Sequence, residues 1–334
     1  MKVVWVSDVP TLNTGFGVAT RTFLKYFKMK GIDVACYSLS TTFDFENDGY
    51  PVRALLGRES ELNTFDAAVF FFNPIYSNNI ALYYATLFKN LKTRRIGYFV
   101  HEARYIPRDV GEIFYTYQGE YDLVFTTPAQ DLWGYSRKYP ERVHFIPHGY
   151  FPRSHKSLER RWVTSVMTNI VRKKWNYIFW ALPKIKWHEF RFVTDLQGFY
   201  AFEQMLDAIK DQLNANVIIG REDNLNDLYD STKLLLQISA GEGFSLPVLE
   251  ALEAGADVVA TDLPELRELY GDQIYYVSSR LMLSNDGQVQ LDPIFSDMVQ
   301  KINYALSHPK PNKDVSRYEI SRVGEKFIDL LLKA

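Results

Sequence analysis

Residues 2–7, KVVWVS, form an apolar run without polar alternation, the pattern of a strand buried on both faces of a parallel sheet. The loop SDVPTLNTGFG follows, and residues 18–29 then place Phe23, Leu24 and Phe27 on one side of an amphipathic helix that Gly31 ends. Residues 32–37 read as a second strand. These elements make a βαβ unit whose glycine loop lies at the carboxyl edge of its first strand, the edge that ligands favour. The alternation continues with strands at 67–72, 95–100, 123–126 and 143–146 and helices at 79–91 and 130–138. The string IPHGYFPRSHK, with two prolines and a glycine, interrupts it as an interdomain linker. A second series has strands at 162–167, 190–194, 215–219, 234–238, 257–261 and 274–277, helices at 174–185 and 247–254, and a closing amphipathic helix at 315–332. The expected fold is α/β, with two Rossmann-like domains at residues 1–150 and 151–312 facing a central cleft.

Composition agrees with folded domains. The 334 residues are 47% hydrophobic, 15% aromatic and 23% charged, unlike disordered or fibrous chains. The single cysteine, Cys36, excludes an internal disulfide framework and any multi-cysteine metal site within one chain, which fits a reduced, cytoplasmic setting. The first residues, MKVVWVSDVP, do not read as a signal peptide, and no apolar run approaches the length of a membrane span.

Charge changes the picture more. The net charge of −2 is distributed as +1 over residues 1–150, +8 over 151–191 and −11 over 192–334, and the basic block also holds Trp162, Trp175, Trp180 and Trp187. Such a segment suits an anionic partner: phosphate groups, a nucleotide or an acidic membrane surface. A solvated basic helix face gives the same count, so charge alone leaves both readings open.

The string GEGFSLPVLEALEAG at 241–255 narrows the choice. Glu242 and Glu250 flank a Gly-Phe-Ser-Leu turn and a proline suited to the first turn of a helix. Backbone N–H groups around 244–249, at that helix N-terminus, favour an anion such as a diphosphate. Glu250, one turn further, is a carboxylate suited to accept hydrogen bonds from the two vicinal hydroxyls of a ribose; an ordinary capped helix with solvated glutamates has the same spacing, so the pair of glutamates alone leaves both readings open.

Taken whole, this string and the following ADVVATDLPELRELYGDQIYYV resemble the signature of retaining glycosyltransferase family 4. The resemblance extends to the opening glycine loop with KGIDVACYS, to VHFIPHGYF, where His148 stands for the usual asparagine, and to VRKKWNYIFWALPKI. It implies a GT-B fold, with the helix at 313–334 crossing back to the first domain. It also implies metal-independent, retaining transfer of a hexosyl-type sugar from a nucleoside-diphosphate donor, with no further cofactor. The same resemblance assigns His101, Glu242 and Lys174 to catalysis. The donor would be held by Gly15, Gly17, Lys174, Gly243, Phe244, Ser245, Leu246 and Glu250. Asn169 occupies the position of the family's diphosphate arginine, and Arg172 and Lys173 are the neighbours able to restore that charge.

Other chemistries find less support. Dinucleotide binding lacks the third glycine of its fingerprint, and Cys36, Tyr37 and Ser38 stand where an acid should meet the ribose. The histidines at 101, 144, 148, 155, 188 and 308 have no metal-ligand spacing, and neither a serine nucleophile elbow nor a Walker lysine is present. The expected partners are a nucleotide sugar and a glycan, lipid or small-molecule acceptor, with the aromatic-basic stretch a candidate for peripheral membrane association and no nucleic acid. A GT-B protein that binds nucleotide sugars without transfer, or a phosphorylase or epimerase of the same architecture, remains the alternative.

Overall fold

The computed structural model describes residues 1–73, 79–102, 117–168, 170–194, 199–213, 215–220, 224–283, 289–311 and 313–333. It divides into two compact units, one of Met1–Pro152 with the segment from Ser316 onward, the other of Arg153–Val315.

The first unit contains β1 (Lys2–Val6), α1 (Gly15–Met29), β2 (Asp33–Ser38), β3 (Phe45–Asn47), β4 (Tyr50–Ala54), β5 (Ala67–Phe72), α2 (Asn79–Asn90), β6 (Arg94–Phe99), β7 (Asp122–Phe125), α3 (Tyr135–Lys138) and β8 (Val143–Phe145). Its sheet runs β3-β4-β2-β1-β5-β6-β7-β8, parallel except for β3. Trp5 at its centre is fully buried, with the rings of Phe23, Phe27, Phe71 and Tyr98 around it and its Nε1 donating to Thr20 Oγ1 at 3.1 Å.

Two elements differ from their expected form. Helix α1 begins at Gly15 rather than residue 18, because Thr14 Oγ1 accepts the Gly17 N–H at 3.0 Å and caps the helix. The helix expected at 130–138 is reduced to a 3₁₀ turn, Pro128–Gln130, and the single turn α3. Gly134 takes a left-handed φ of 67° between them, and the Asp131 carboxylate accepts the N–H groups of Tyr135 and Ser136, each at 2.8 Å.

His148, just beyond β8, is buried against Phe71, and its Nδ1 lies 2.8 Å from the Tyr98 hydroxyl. Burial lowers its pKa from 6.5 to about 3. A folded-state value below the unfolded one means that the unfolded chain takes up the proton first. Stability is therefore complete above pH 6.5 and falls as pH drops towards 3. At about 1.4 kcal/mol per pH unit, the wild type should lose about 2–3 kcal/mol between pH 6.5 and 4.5 that His148→Asn does not lose, as measured by urea denaturation at each pH.

The second unit contains β9 (Trp162–Val166), α4 (Trp175–Ala181), β10 (Glu189–Val193), α5 (Phe199–Ile209), β11 (Asn216–Gly220), α6 (Leu225–Asp230), β12 (Thr232–Gln237), α7 (Leu246–Glu253), β13 (Asp257–Thr261), α8 (Pro264–Tyr270), β14 (Tyr275–Val277), the antiparallel pair β15 (Ser279–Leu283) and β16 (Val289–Pro293), and α9 (Phe295–Ser307). Its parallel sheet runs β11-β10-β9-β12-β13-β14. The chain builds outward from β9 in one direction, then returns to β12 and builds outward in the other, so the order reverses between β9 and β12. The helix expected at 174–185 stops at Ala181 and continues as a 3₁₀ turn through Pro183, whose missing N–H cannot sustain the α-helical ladder.

Most of the basic block at 151–191 is engaged in holding this unit together. Arg153 pairs with Glu253 and Lys156 with Asp227, Arg160 donates to the carbonyls of Ala254 and Gly255, and Arg191 lies over the Trp162 ring. Trp162 and Trp175 are core residues, whereas Trp180 is 53% exposed.

The last helix, α10 (Ile320–Leu332), is preceded by a 3₁₀ turn at Ser316–Tyr318, where the expectation was one helix from residue 315. It packs on α1 so closely that a Cβ at Gly324 would stand 2.3 Å from the Tyr26 ring. Its Phe327 completes the cluster around Trp5. Arg94 donates to the carbonyls of Leu330 and Leu331, both at 3.0 Å, and pairs with buried Asp122, so this helix end is both capped and charge-matched.

Candidate functional site

In open α/β sheets the crevice forms at the carboxyl ends of the strands where the order reverses. In the second unit this is the space served by residues 170–174, after β9, and 238–245, after β12. The loops are joined by the Ala240 N–H donating to Arg172 O at 2.9 Å, and β16 is joined to them by the Leu291 N–H donating to Ala240 O at 3.0 Å. Ser239 fixes the turn by donating its hydroxyl to Gly241 O at 2.9 Å and its N–H to Thr261 Oγ1 at 3.0 Å.

Three cations converge there. Arg172, Lys173 and Lys174 are 7%, 8% and 8% exposed, and the carboxylates of Glu242 and Asp292 are buried beside them. Glu242 Oε1 accepts from Lys173 Nζ and from Gln237 Nε2, the latter at 3.0 Å, and lies 3.7 Å from Arg172 Nη1. These contacts all fall on one oxygen. Burial would raise the Glu242 pKa, but Lys173 and Arg172 outweigh burial and hold it below the ordinary glutamate value. Arg172 also donates to the Gly241 carbonyl. Lys174 Nζ pairs with Asp292 Oδ1 at 2.9 Å.

The turn at 243–246 is set from below. Tyr270, fully buried, donates its hydroxyl towards Phe244 O at 3.1 Å and Ser245 O at 3.3 Å. Ser245 has a left-handed φ of 66° and Lys174 one of 43°; with Asp48 they are the non-glycine residues of positive φ among those described. Such conformations persist where surrounding contacts enforce them, and two of the three border this crevice. Leu246 and Pro247 open α7, whose N-terminal end carries a partial positive charge. The Ser245 hydroxyl is buried at that tip with no hydrogen-bond partner among the described residues. Glu250 lies one turn along α7, its carboxylate charge close enough to the buried Tyr229 to raise that hydroxyl's pKa further above its ordinary value, after burial, and its carbonyl accepting from Arg153 at 3.2 Å.

Arg172, Lys173, Lys174, Glu242 to Leu246 and Glu250 are thus gathered by elements of one unit. His101, Gly15 and Gly17 lie in the other. His101 follows β6, with its ring against Phe125 and Trp133 and its backbone clamped by Gln130, which accepts its N–H at 2.5 Å and donates to its carbonyl at 2.9 Å. Gly15 and Gly17 form the first turn of α1, not a loop, and a Cβ on Gly17 would stand 2.4 Å from the Leu12 carbonyl oxygen. Asn169 lies outside the described residues.

Sequence reasoning passed over Gln237, Tyr229, Tyr270, Tyr177 and Asp292. Only Gln237 carried a local signal, as a polar residue ending the apolar run Leu234–Leu236. Among the described residues, no group of three or more histidine, cysteine or acidic side chains is placed to hold a metal ion, and no helix is long and apolar enough to cross a membrane.

Two Rossmann-like sheets, the second with its crevice at the order reversal, define the class: this is a GT-B fold. Solved structures share it across the chain at low identity. HepE of Anabaena, in complex with UDP and glucose, has a TM-score of 0.76 at 11% identity over 100% of both chains. Sucrose-phosphate synthase of Thermosynechococcus elongatus has a TM-score of 0.76 at 12% identity over 98% of each chain. A glycosyltransferase of Rickettsia africae has a TM-score of 0.66 at 15% identity over 99% of this chain and 97% of its own. Residues 162–288, which span the crevice from β9 through α7, match the family model described as glycosyl transferases group 1. No curated protein matches the sequence.

Proposed function

We propose that the protein is a metal-independent, retaining glycosyltransferase of family 4 that moves a hexosyl-type sugar from a nucleoside-diphosphate donor to a glycan, lipid or small-molecule acceptor in the cytoplasm. The observation that carries this reading is the excess of buried positive charge at the crevice, three cations against two carboxylates, beside the tip of α7. A diphosphate neutralises that excess, and the helix tip and the Ser245 hydroxyl supply hydrogen bonds to it. The family match over this segment and the binding of UDP-glucose by HepE support the same donor class.

Each residue then has a task. Glu250 accepts hydrogen bonds from the ribose hydroxyls. Lys174 and Arg172 offset the charge that grows on the departing diphosphate. Glu242 keeps its charge because Lys173 and Arg172 lower its pKa. With Oε1 fully engaged, it turns Oε2 to the hydroxyls of the transferred sugar. A carboxylate so neutralised is a poor nucleophile, which favours a front-side route in which the leaving phosphate takes the acceptor proton. His101 is assigned to the donor sugar on its family resemblance.

Lys174→Ala and Glu250→Ala should each lower transfer by about a hundredfold or more in protein whose circular dichroism shows it folded at the assay temperature, read as nucleotide release across a panel of UDP-, ADP- and GDP-sugars. Wild-type rates in both variants would overturn the assignment. Tight binding without turnover across acceptors would favour a binding protein instead.

A further inference from the structure

The partner of Lys174 comes from outside the Rossmann-like repeat. Asp292 lies on β16, the second strand of the antiparallel pair, and is paired in register with Arg280 on β15. It is 1% exposed; Oδ1 meets Lys174 Nζ at 2.9 Å, while Oδ2 accepts the Tyr177 hydroxyl at 3.1 Å and has the Arg280 guanidinium at 3.8 Å. Tyr177 stands within the first turn of α4, directly after Lys174. The carboxylate is therefore held on both sides, and the lysine is held by it.

Lysine is a flexible donor, whose long side chain loses much rotamer freedom when it is fixed. Here it starts from a left-handed backbone, φ 43° and ψ 36°, that a non-glycine residue keeps only under constraint. Its ammonium is held to Asp292 by an ion pair rather than by a directed hydrogen bond, so its N–H groups can turn to a ligand while the charge stays anchored. We infer that Asp292 is a positioning residue for the donor diphosphate: it fixes the Lys174 ammonium at the crevice so that the ligand need not order it. This rests on the donor-site reading above. It adds that the strand pair β15–β16 is part of the binding machinery through a residue that touches the lysine and not the ligand.

The test is a double-mutant cycle on the full chain, with affinity for UDP, ADP and GDP measured by calorimetry. For whichever diphosphate the wild type binds best, Asp292→Asn should raise Kd about tenfold, and Lys174→Met by a similar factor. The double variant should bind no more weakly than Lys174→Met alone, because Asp292 acts only through the lysine. A purely structural role would make the two losses multiply, and that result overturns the inference. So does an Asp292→Asn protein that binds within about twofold of the wild type. Should the amide prevent folding, Asp292→Glu serves instead: its extra methylene displaces the anchor, and it should weaken binding about threefold, with unchanged affinity overturning the inference. Failure of the wild type to bind any of the three diphosphates would instead overturn the donor-site reading, and this inference with it.

Discussion

Replacing Glu242 with alanine should destabilise the second unit by about 3–5 kcal/mol, because it leaves Lys173 and Arg172 as buried charges without their carboxylate. Gln237 loses the acceptor of its amide at the same stroke, and an unmade buried hydrogen bond adds to the cost. The effect has a pH signature. The folded-state pKa of Glu242 lies below the ordinary glutamate value, so its contribution is present above that ordinary value and disappears as pH falls through the folded one. Urea denaturation at neutral pH should therefore separate the variant from the wild type clearly, and the difference should shrink in acid. Adding Lys173→Met to the alanine variant should recover part of the loss, since removing both members of a buried pair costs less than removing one. If the single variant denatures at the wild-type midpoint, the crevice is not the closed, low-dielectric cluster described above.

Trp5→Ala should act on the other unit with comparable force. The side chain is fully buried, its ring lies between 5.5 and 6.2 Å from those of Phe23, Phe27, Phe71, Tyr98 and Phe327, and its indole N–H satisfies Thr20. Truncation opens a large cavity and strands a buried hydroxyl, at a cost of about 3–5 kcal/mol. Trp5→Phe, which preserves most of the volume, should cost less than half of that. Calorimetric unfolding of the two variants beside the wild type provides the comparison, and a Trp5→Ala protein that melts within about 2 °C of the wild type would contradict it.

What the chain reveals before folding depends on how local each feature is. Strands β1, β5 and β13 are legible to within a residue, because a parallel strand buried on both faces must be a continuous apolar run. The β3–β4 hairpin carries its signal in Asp48-Gly49, both with positive φ, yet a three-residue strand is too short to show alternation around it. The pair β15–β16 is harder still: Leu281 and Leu283 are about 70% exposed, so the usual apolar-inward pattern does not mark it. The periodicity at 130–138 does not become one helix because Gly134, with its left-handed φ of 67°, breaks it.

The same logic governs the candidate site. The turn from Glu242 to Leu246 and its helix can be read directly, since the proline and the apolar spacing of α7 are contiguous. The pairing of Lys173 with Glu242 spans 69 positions, and that of Lys174 with Asp292 spans more. Neither leaves any periodic trace, because such contacts exist only once the order of β9 and β12 has been set.

The docking of α10 on α1 also sets an order of events during synthesis. The hydrophobic centre of the first unit is assembled from both ends of the chain, with Phe327 seated among residues that precede position 100. As the polypeptide leaves the ribosome, the nascent sheet around Trp5 must wait, with an uncovered apolar face, while the whole second unit is made and folds. The second unit is continuous in sequence and has no such delay. Chaperone dependence and proteolytic sensitivity during translation should accordingly concentrate on the first half of the protein, and be relieved when the final helix arrives.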